Sequence, residues 1–323
     1  MKLNLYQKTA LSTIAATLFL IMVGGIVRAA GAGLGCPDWP KCYGLWIPPM
    51  HVSDLPSGFD VDSFNAFKTW TEYVNRLIGV LVGFFIAANF LTSLRYRRSK
   101  PTVTISSLLA LILVLFQAWL GGQVVRSGLA SGMITLHMLL AMIIVGVLLY
   151  ASFKSKEDFV ELQMSQKSKH RFLQLGIGIG VLSIIQMVLG TQVRESIDVV
   201  KIGMGLTDRS LWIEQLGIIY KIHRSFSWLL LITIALLSYR VYRFSKNETG
   251  RSYSGTKGFI LLGYAIPIGV ISQVLIGIGL QWLDMPGVLQ VLHLLGVALL
   301  LSVIFIFVLI LSQRTKAFEE VES

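Results

Sequence analysis

Long apolar runs, separated by short clusters of charged, proline and glycine positions, recur along the whole chain. They fall at about 9–28, 72–94, 103–125, 132–153, 173–193, 217–239, 258–281 and 287–311. Each can cross a hydrocarbon core of about 30 Å, which takes ~20 helical residues. The pattern predicts an all-α integral membrane protein with eight transmembrane helices. The first run follows Lys2 and Lys8 and precedes the small residues Ala29 to Gly33, in the manner of a secretory signal. Its uncharged stretch from Thr9 to Val27 is longer than a signal core, and seven spans follow, so it reads as a retained helix.

Composition agrees. The 323 residues are 54% hydrophobic and 14% charged, and a mean hydropathy of +0.70 is too apolar for a soluble domain of this size. The net charge of +11 would suit a nucleic-acid partner only if it were clustered on one surface, and it is not. The basic residues occupy alternate loops: Arg95, Arg97, Arg98 and Lys100; five between Lys154 and Arg171; Arg240, Arg243, Lys246, Arg251 and Lys257; then Arg314 and Lys316. The other loops hold Asp38, Asp54, Asp60, Asp62, Glu195, Asp198, Asp208, Glu214 and Asp284. The positive-inside rule puts both termini in the cytoplasm and leaves no case for nucleic acid.

The ends of the odd spans repeat. Gly24-Gly25-Ile26-Val27-Arg28 matches Gly121-Gly122-Gln123-Val124-Val125-Arg126 and Gly190-Thr191-Gln192-Val193-Arg194, with a weaker copy from Gly277 to Gln281. The even spans repeat too, Glu72-Tyr73-Val74-Asn75-Arg76 against Tyr220-Lys221-Ile222-His223-Arg224, and Leu136-His137-Met138 against Leu292-His293-Leu294. The chain is therefore expected to be two pseudo-twofold-related four-helix bundles, 1–155 and 156–323. Because each holds an even number of spans, the axis runs along the membrane normal. Close helix packing is reason enough for the glycines. Outer loops are expected at 29–71 and 194–216, with Trp39, Trp46, Trp70 and Trp212 as interfacial anchors; the first is long enough to cover a site. It also carries Cys36 and Cys42, the only cysteines, on the oxidising side. Two thiolates make a poor metal site, which leaves a structural bridge or a redox-active pair.

Five histidines are present. His51 and His170 lie in loops and read as solvated surface. His137, His223 and His293 all lie about six residues into spans that run inward, roughly 9 Å below the outer face. One buried histidine can simply bond neighbouring helices, but three at one depth on repeat-related helices point to chemistry. Imidazoles in a bundle with few carboxylates or thiols at that level suit an iron porphyrin better than zinc or a hard cation. His223 and His293, in one half, make an axial pair. His137 is their counterpart in the other half, where its repeat partner is Asn75. Iron held by two imidazoles suits electron transfer, whereas iron held by one keeps a position open for oxygen chemistry. Glu72, one turn before Asn75, is placed to carry a proton or to pair with Arg76. Arg28, Arg126 and Arg194 end odd spans, where they snorkel or meet haem propionates.

These residues resemble the haem A synthases, bacterial and mitochondrial, which serve cytochrome oxidase assembly. The likeness covers nearly all of the chain. It rests on Gly-Gly-Ile-Val-Arg and the following Gly-Leu-Gly-Cys-Pro-Asp-Trp-Pro-Lys-Cys, on Glu72-Tyr73 to Arg76, on Gly121 to His137, on His223-Arg224 and on His293. It implies a multi-pass protein of the cell (inner) membrane that holds haem b in the C-terminal half through His223 and His293. It implies that haem O is the substrate in the N-terminal half, served by His137 and Glu72, with a ring methyl oxidised to the formyl of haem A. Cys36 with Cys42 would be the outer-loop disulfide that some members carry. Asn75 departs from the family, which commonly has histidine there, so His137 alone is expected on the substrate iron with Asn75 hydrogen-bonding nearby. The implied partners are a haem O synthase, cytochrome oxidase assembly factors and an unidentified electron partner; a homo-oligomer is left open. Competing readings are a dihaem electron-transfer protein of the cytochrome b type, which would need two histidine pairs, and a transporter with paired repeats, which would bind no haem. Hydrolase or transferase chemistry finds no nucleophile-base pair and no phosphate loop in the sequence.

Overall fold

A computed structural model describes residues 3–156, 162, 164–203, 209–246 and 254–313. Asp208, Arg251, Arg314 and Lys316, used in the charge reading above, lie outside them. The helices are α1 Leu5–Ala29, α2 Ala66–Ser93, α3 Pro101–Arg126, α4 Met133–Lys154, α5 Gln166–Gly203, the short α6 Trp212–Gln215, α7 Ile218–Lys246, α8 Ser254–Trp282 and α9 Gly287–Ser312. All but α6 are long and apolar enough to cross a membrane. No β-strand occurs among the described residues, and the protein is all-α, as the apolar runs predict.

Local chemistry sets the helix starts. Asn4 and Gln7 close a capping box on α1, so that helix begins four residues before the apolar run. Asn65 caps α2 by accepting from Lys68 N at 3.0 Å, which puts Glu72 in the second turn rather than at the helix start. Pro101 opens α3. The largest departure is α5, whose expected end at 193 is passed by ten residues, so much of the expected loop at 194–216 is helix. Arg194, Glu195 and Asp198 are too polar for hydrocarbon and therefore read as loop. Each is matched by partners on neighbouring helices or their caps, which lets the helix run on beyond the apolar stretch.

Helices α1 to α4 pack as one ring and α5, α7, α8 and α9 as a second. The first core is Ile14, Val82, Ile86, Ala110, Leu120, Leu140, Ile144 and Leu148. The second is built around stacked and edge-on Phe172, Phe244, Phe259 and Phe307. The halves meet mainly where α1 lies on α9, and there a Cβ on Gly25 would stand 2.9 Å from Leu294 Cδ2, so a larger residue would make that side chain shift. Outward-facing Phe84, Ile112, Ile232 and Leu261 are exposed, the arrangement a protein dissolved in lipid requires.

Candidate haem sites

Each of the three intramembrane histidines rests in a notch made by the preceding long helix. A Cβ built on Gly121 of α3 would stand 3.4 Å from His137 Cε1, one on Gly190 of α5 3.1 Å from His223 Cε1, and one on Gly277 of α8 3.8 Å from His293 Cε1. These are three of the four repeated glycines, so besides admitting a helix they admit an imidazole. Glutamines one turn earlier complete the notch: Gln117 Nε2 donates to His137 O at 3.0 Å, and Gln186 Nε2 donates to His223 O at 2.9 Å. Gln273, the third copy, lies against α9, where a side chain on Gly296 would collide with its amide. These glutamines escaped the sequence reading. Their signal is a glutamine four residues before the glycine: Gln117 before Gly121, Gln186 before Gly190 and Gln273 before Gly277. The fourth copy lacks it. Leu20 stands four before Gly24, and the Cβ position of Gly24 meets nothing within 4 Å. The copy without histidine thus also lacks the support for one.

Nδ1 of His137, His223 and His293 is in each case closed off and unpartnered, while the residues themselves are half-buried. A buried imidazole nitrogen without a partner on the chain is a group whose partner has to come from elsewhere. The His223 and His293 rings lie 6.5 Å apart between centroids, nearly perpendicular at 85°. A metal bound ~2 Å from each of two imidazole nitrogens separates ring centroids by about 6 Å, so the pair fits the axial ligands of one iron. Among the described residues no three His, Cys, Asp or Glu side chains converge as a bare ion would need. A porphyrin, which brings its own equatorial nitrogens, needs no such cluster. The donor set fits haem.

The long loop between α1 and α2 is bound to α2. Cys36 and Cys42 form a disulfide with Cα atoms 4.8 Å apart. Both are fully buried, beside Tyr43, Leu55, Phe59, Phe64 and Tyr73. Glu72, 4% exposed, sits beneath them. Its Oε2 accepts from Cys36 N at 2.9 Å and its Oε1 pairs with Arg76 at 2.5 Å. Arg76 in turn donates to the carbonyls of Asp38, Lys41 and Cys36. Both Glu72 oxygens are thus engaged, and of the two sequence readings the Arg76 pair is present. Asn75 is half-buried, with its Oδ1 closed off and unpartnered. Trp39 does more than anchor at an interface, because a Cβ on Gly122 would stand 2.9 Å from its ring. The loop therefore lays an indole on α3 one residue from the His137 notch.

The arginines divide. Arg28 and Arg194 share Asp198, at 2.5 and 3.3 Å, and Arg194 also donates to Gln290 Oε1 and to Arg28 O. Arg126 is exposed and unpaired among the described residues, which leaves it as the one of the three open to an anionic ligand. His51 and His170 are exposed, as expected.

The family profile described as cytochrome oxidase assembly protein (COX15-CtaA) matches residues 7–305. The chain is 29% identical to a heme A synthase of Shewanella oneidensis over 147 residues, 45% of this chain and 44% of the relative. It is 29% identical to one of Paracoccus denitrificans over 197 residues, 54% and 51%. A third, from Wolbachia sp. subsp. Brugia malayi, is 28% identical over 196 residues, 54% and 57%. The chain spans about half the length of the curated relatives it matches.

Proposed function

From a chain that belongs to the cytochrome oxidase assembly protein family, we propose a haem A synthase that oxidises a ring methyl of haem O to the formyl of haem A. The observation that carries this is the inequality of the two halves. One half sets two imidazoles 6.5 Å apart. The other has one imidazole in a complete notch, and where the repeat would put a fourth histidine it has Asn75, with neither glutamine nor contact at the corresponding Gly24. The runner-up, a dihaem electron-transfer protein, calls for two equivalent pairs and is disfavoured by Asn75.

In this reading His223 and His293 hold haem b, and His137 holds the iron of haem O. Converting a methyl to an aldehyde is a four-electron oxidation beyond any side chain, and the haem supplies that redox chemistry when bound. The chain supplies the rest. The glycine notches fix the imidazoles. Trp39 and the disulfide loop cover the His137 side and exclude water. Asn75, with an unspent Oδ1, would be the hydrogen-bonding group of that site. Glu72 holds the loop through Cys36 N–H, and its carboxylate, one turn from Asn75 on α2, is the group to carry a proton there. The family resemblance implies the cell (inner) membrane for this protein, and the positive-inside rule orients it with both termini cytoplasmic. A haem O synthase would deliver the substrate, oxidase assembly factors would receive the product, and a separate electron partner would serve the redox step.

The test is co-expression with a haem O synthase in a host without haem A activity, followed by haem extraction and chromatography. Haem A that disappears with His137→Ala is the expected result. Haem O accumulating unchanged beside protein-bound haem b would overturn the reading in favour of electron transfer.

A further inference from the structure

Glu195 is 8% exposed, yet it forms no ion pair among the described residues. A buried carboxylate is costly unless hydrogen-bonded, so its partners define its purpose. All of them lie on the opposite half. Oε1 accepts from Gly132 N at 3.0 Å and from Thr135 Oγ1 at 3.2 Å, and Oε2 accepts from Ser131 Oγ at 2.8 Å. These are the entry turn and first turn of α4, where free N–H groups and the helix dipole favour a negative charge. Gly132, with a φ of +82°, places its N–H there and has no side chain with which to cap the helix itself. Thr135 also bonds Thr191 Oγ1 at 2.6 Å, and Thr191 follows Gly190, the notch of His223. His137 is two residues beyond Thr135 on α4.

The pseudo-symmetric place has no such device. The repeat aligns Arg28 with Arg194 and hence Ala29 with Glu195, and Ala29 Cβ merely meets the start of α9, 3.6 Å from a Cβ position on Gly287. The carboxylate is therefore not a general requirement of joining the halves. It serves the one helix whose histidine has no histidine opposite it. A lone imidazole cannot share the task of placing an iron, so small errors in the pose of α4 pass directly to the site.

We propose that Glu195 is a positioning residue for the N-terminal haem site: from the C-terminal half it caps α4 and sets where His137 stands, through Thr135, Thr191 and Gly190 in register with His223. This rests on the reading of His137 as a haem ligand. The test compares optical and electron paramagnetic resonance spectra of the full-length protein purified with its bound haem, with His137→Ala identifying the N-terminal component. Glu195→Ala should alter that component and weaken its haem by about tenfold in a ferric protoporphyrin titration, while the His223–His293 component keeps its spectrum. Glu195→Gln, which retains one carbonyl oxygen for Gly132 N–H, should restore most of it. If Glu195→Ala does not fold, Thr135→Val removes one of the three donors, and a selective change in the N-terminal component alone upholds the proposal. An unchanged N-terminal component, or equal disturbance of both, overturns it with the haem assignment intact. Absence of any His137-dependent haem overturns the functional reading itself.

Discussion

Gly190→Ala adds one methyl group at the tightest of the three notches. Its Cβ would stand 3.1 Å from His223 Cε1, against an ordinary carbon contact of about 3.5–4.0 Å, so the imidazole must recede by about 0.5 Å. That is the order of error a preorganised ligand site tolerates. Overpacking of this kind costs about 1–2 kcal/mol, equivalent to roughly five- to thirtyfold in haem affinity. The same methyl in a helix interior recovers up to about 1 kcal/mol of helix propensity, so global stability should hold while haem b binds more weakly. Gly277→Ala is the internal control, since its Cβ would meet His293 Cε1 at 3.8 Å, a normal contact. The assay is haem b per protein by pyridine haemochrome, with a haem titration of each purified variant and thermal unfolding alongside. Haem weakened in Gly190→Ala and retained in Gly277→Ala is the expected pair of results. Equal loss in both, or loss only in Gly277→Ala, would refute the claim that the glycines serve the imidazoles rather than helix packing.

Glu72→Ala removes the acceptor of Cys36 N–H and the carboxylate paired with half-buried Arg76; limited proteolysis should cut the loop between α1 and α2 at least several-fold faster, and an unchanged rate would remove Glu72 from loop anchoring. Cys36 and Cys42 are fully buried, so the folded protein should resist a water-soluble phosphine that reduces it readily in denaturant. Mass shifts after alkylation report this, and ready reduction of the folded protein would favour the redox-active pair. Asn75→His should bring a second imidazole to the substrate iron, convert it to a low-spin species by electron paramagnetic resonance and suppress haem A formation. An unchanged spin state would mean that another group already occupies that position.

Much of this protein is one-dimensional information. Eight apolar runs specify eight helices because lipid offers no hydrogen bonds and a helix satisfies its own backbone, a constraint read residue by residue. The repeat of Gly121–Arg126 in Gly190–Arg194, and of His137 in His293, carries the twofold plan and the depth of the histidines without any coordinates. Asn75 shows its departure from the pattern by identity alone. Tertiary structure decided what those residues meet. Gly190 reads as a packing glycine until His223 is found against it, and Gln186 reads as an unremarked polar residue until its amide reaches the His223 carbonyl. Trp39 reads as an interfacial anchor until the loop sets it on Gly122. Glu195 and Asp198 read as loop acids, and Arg28 as a snorkelling or propionate-binding span end, because their partners lie on other helices, 170 residues apart along the chain for Arg28 and Asp198. A charge at a membrane face costs little or much according to what stands beside it, and only folding brings those neighbours together.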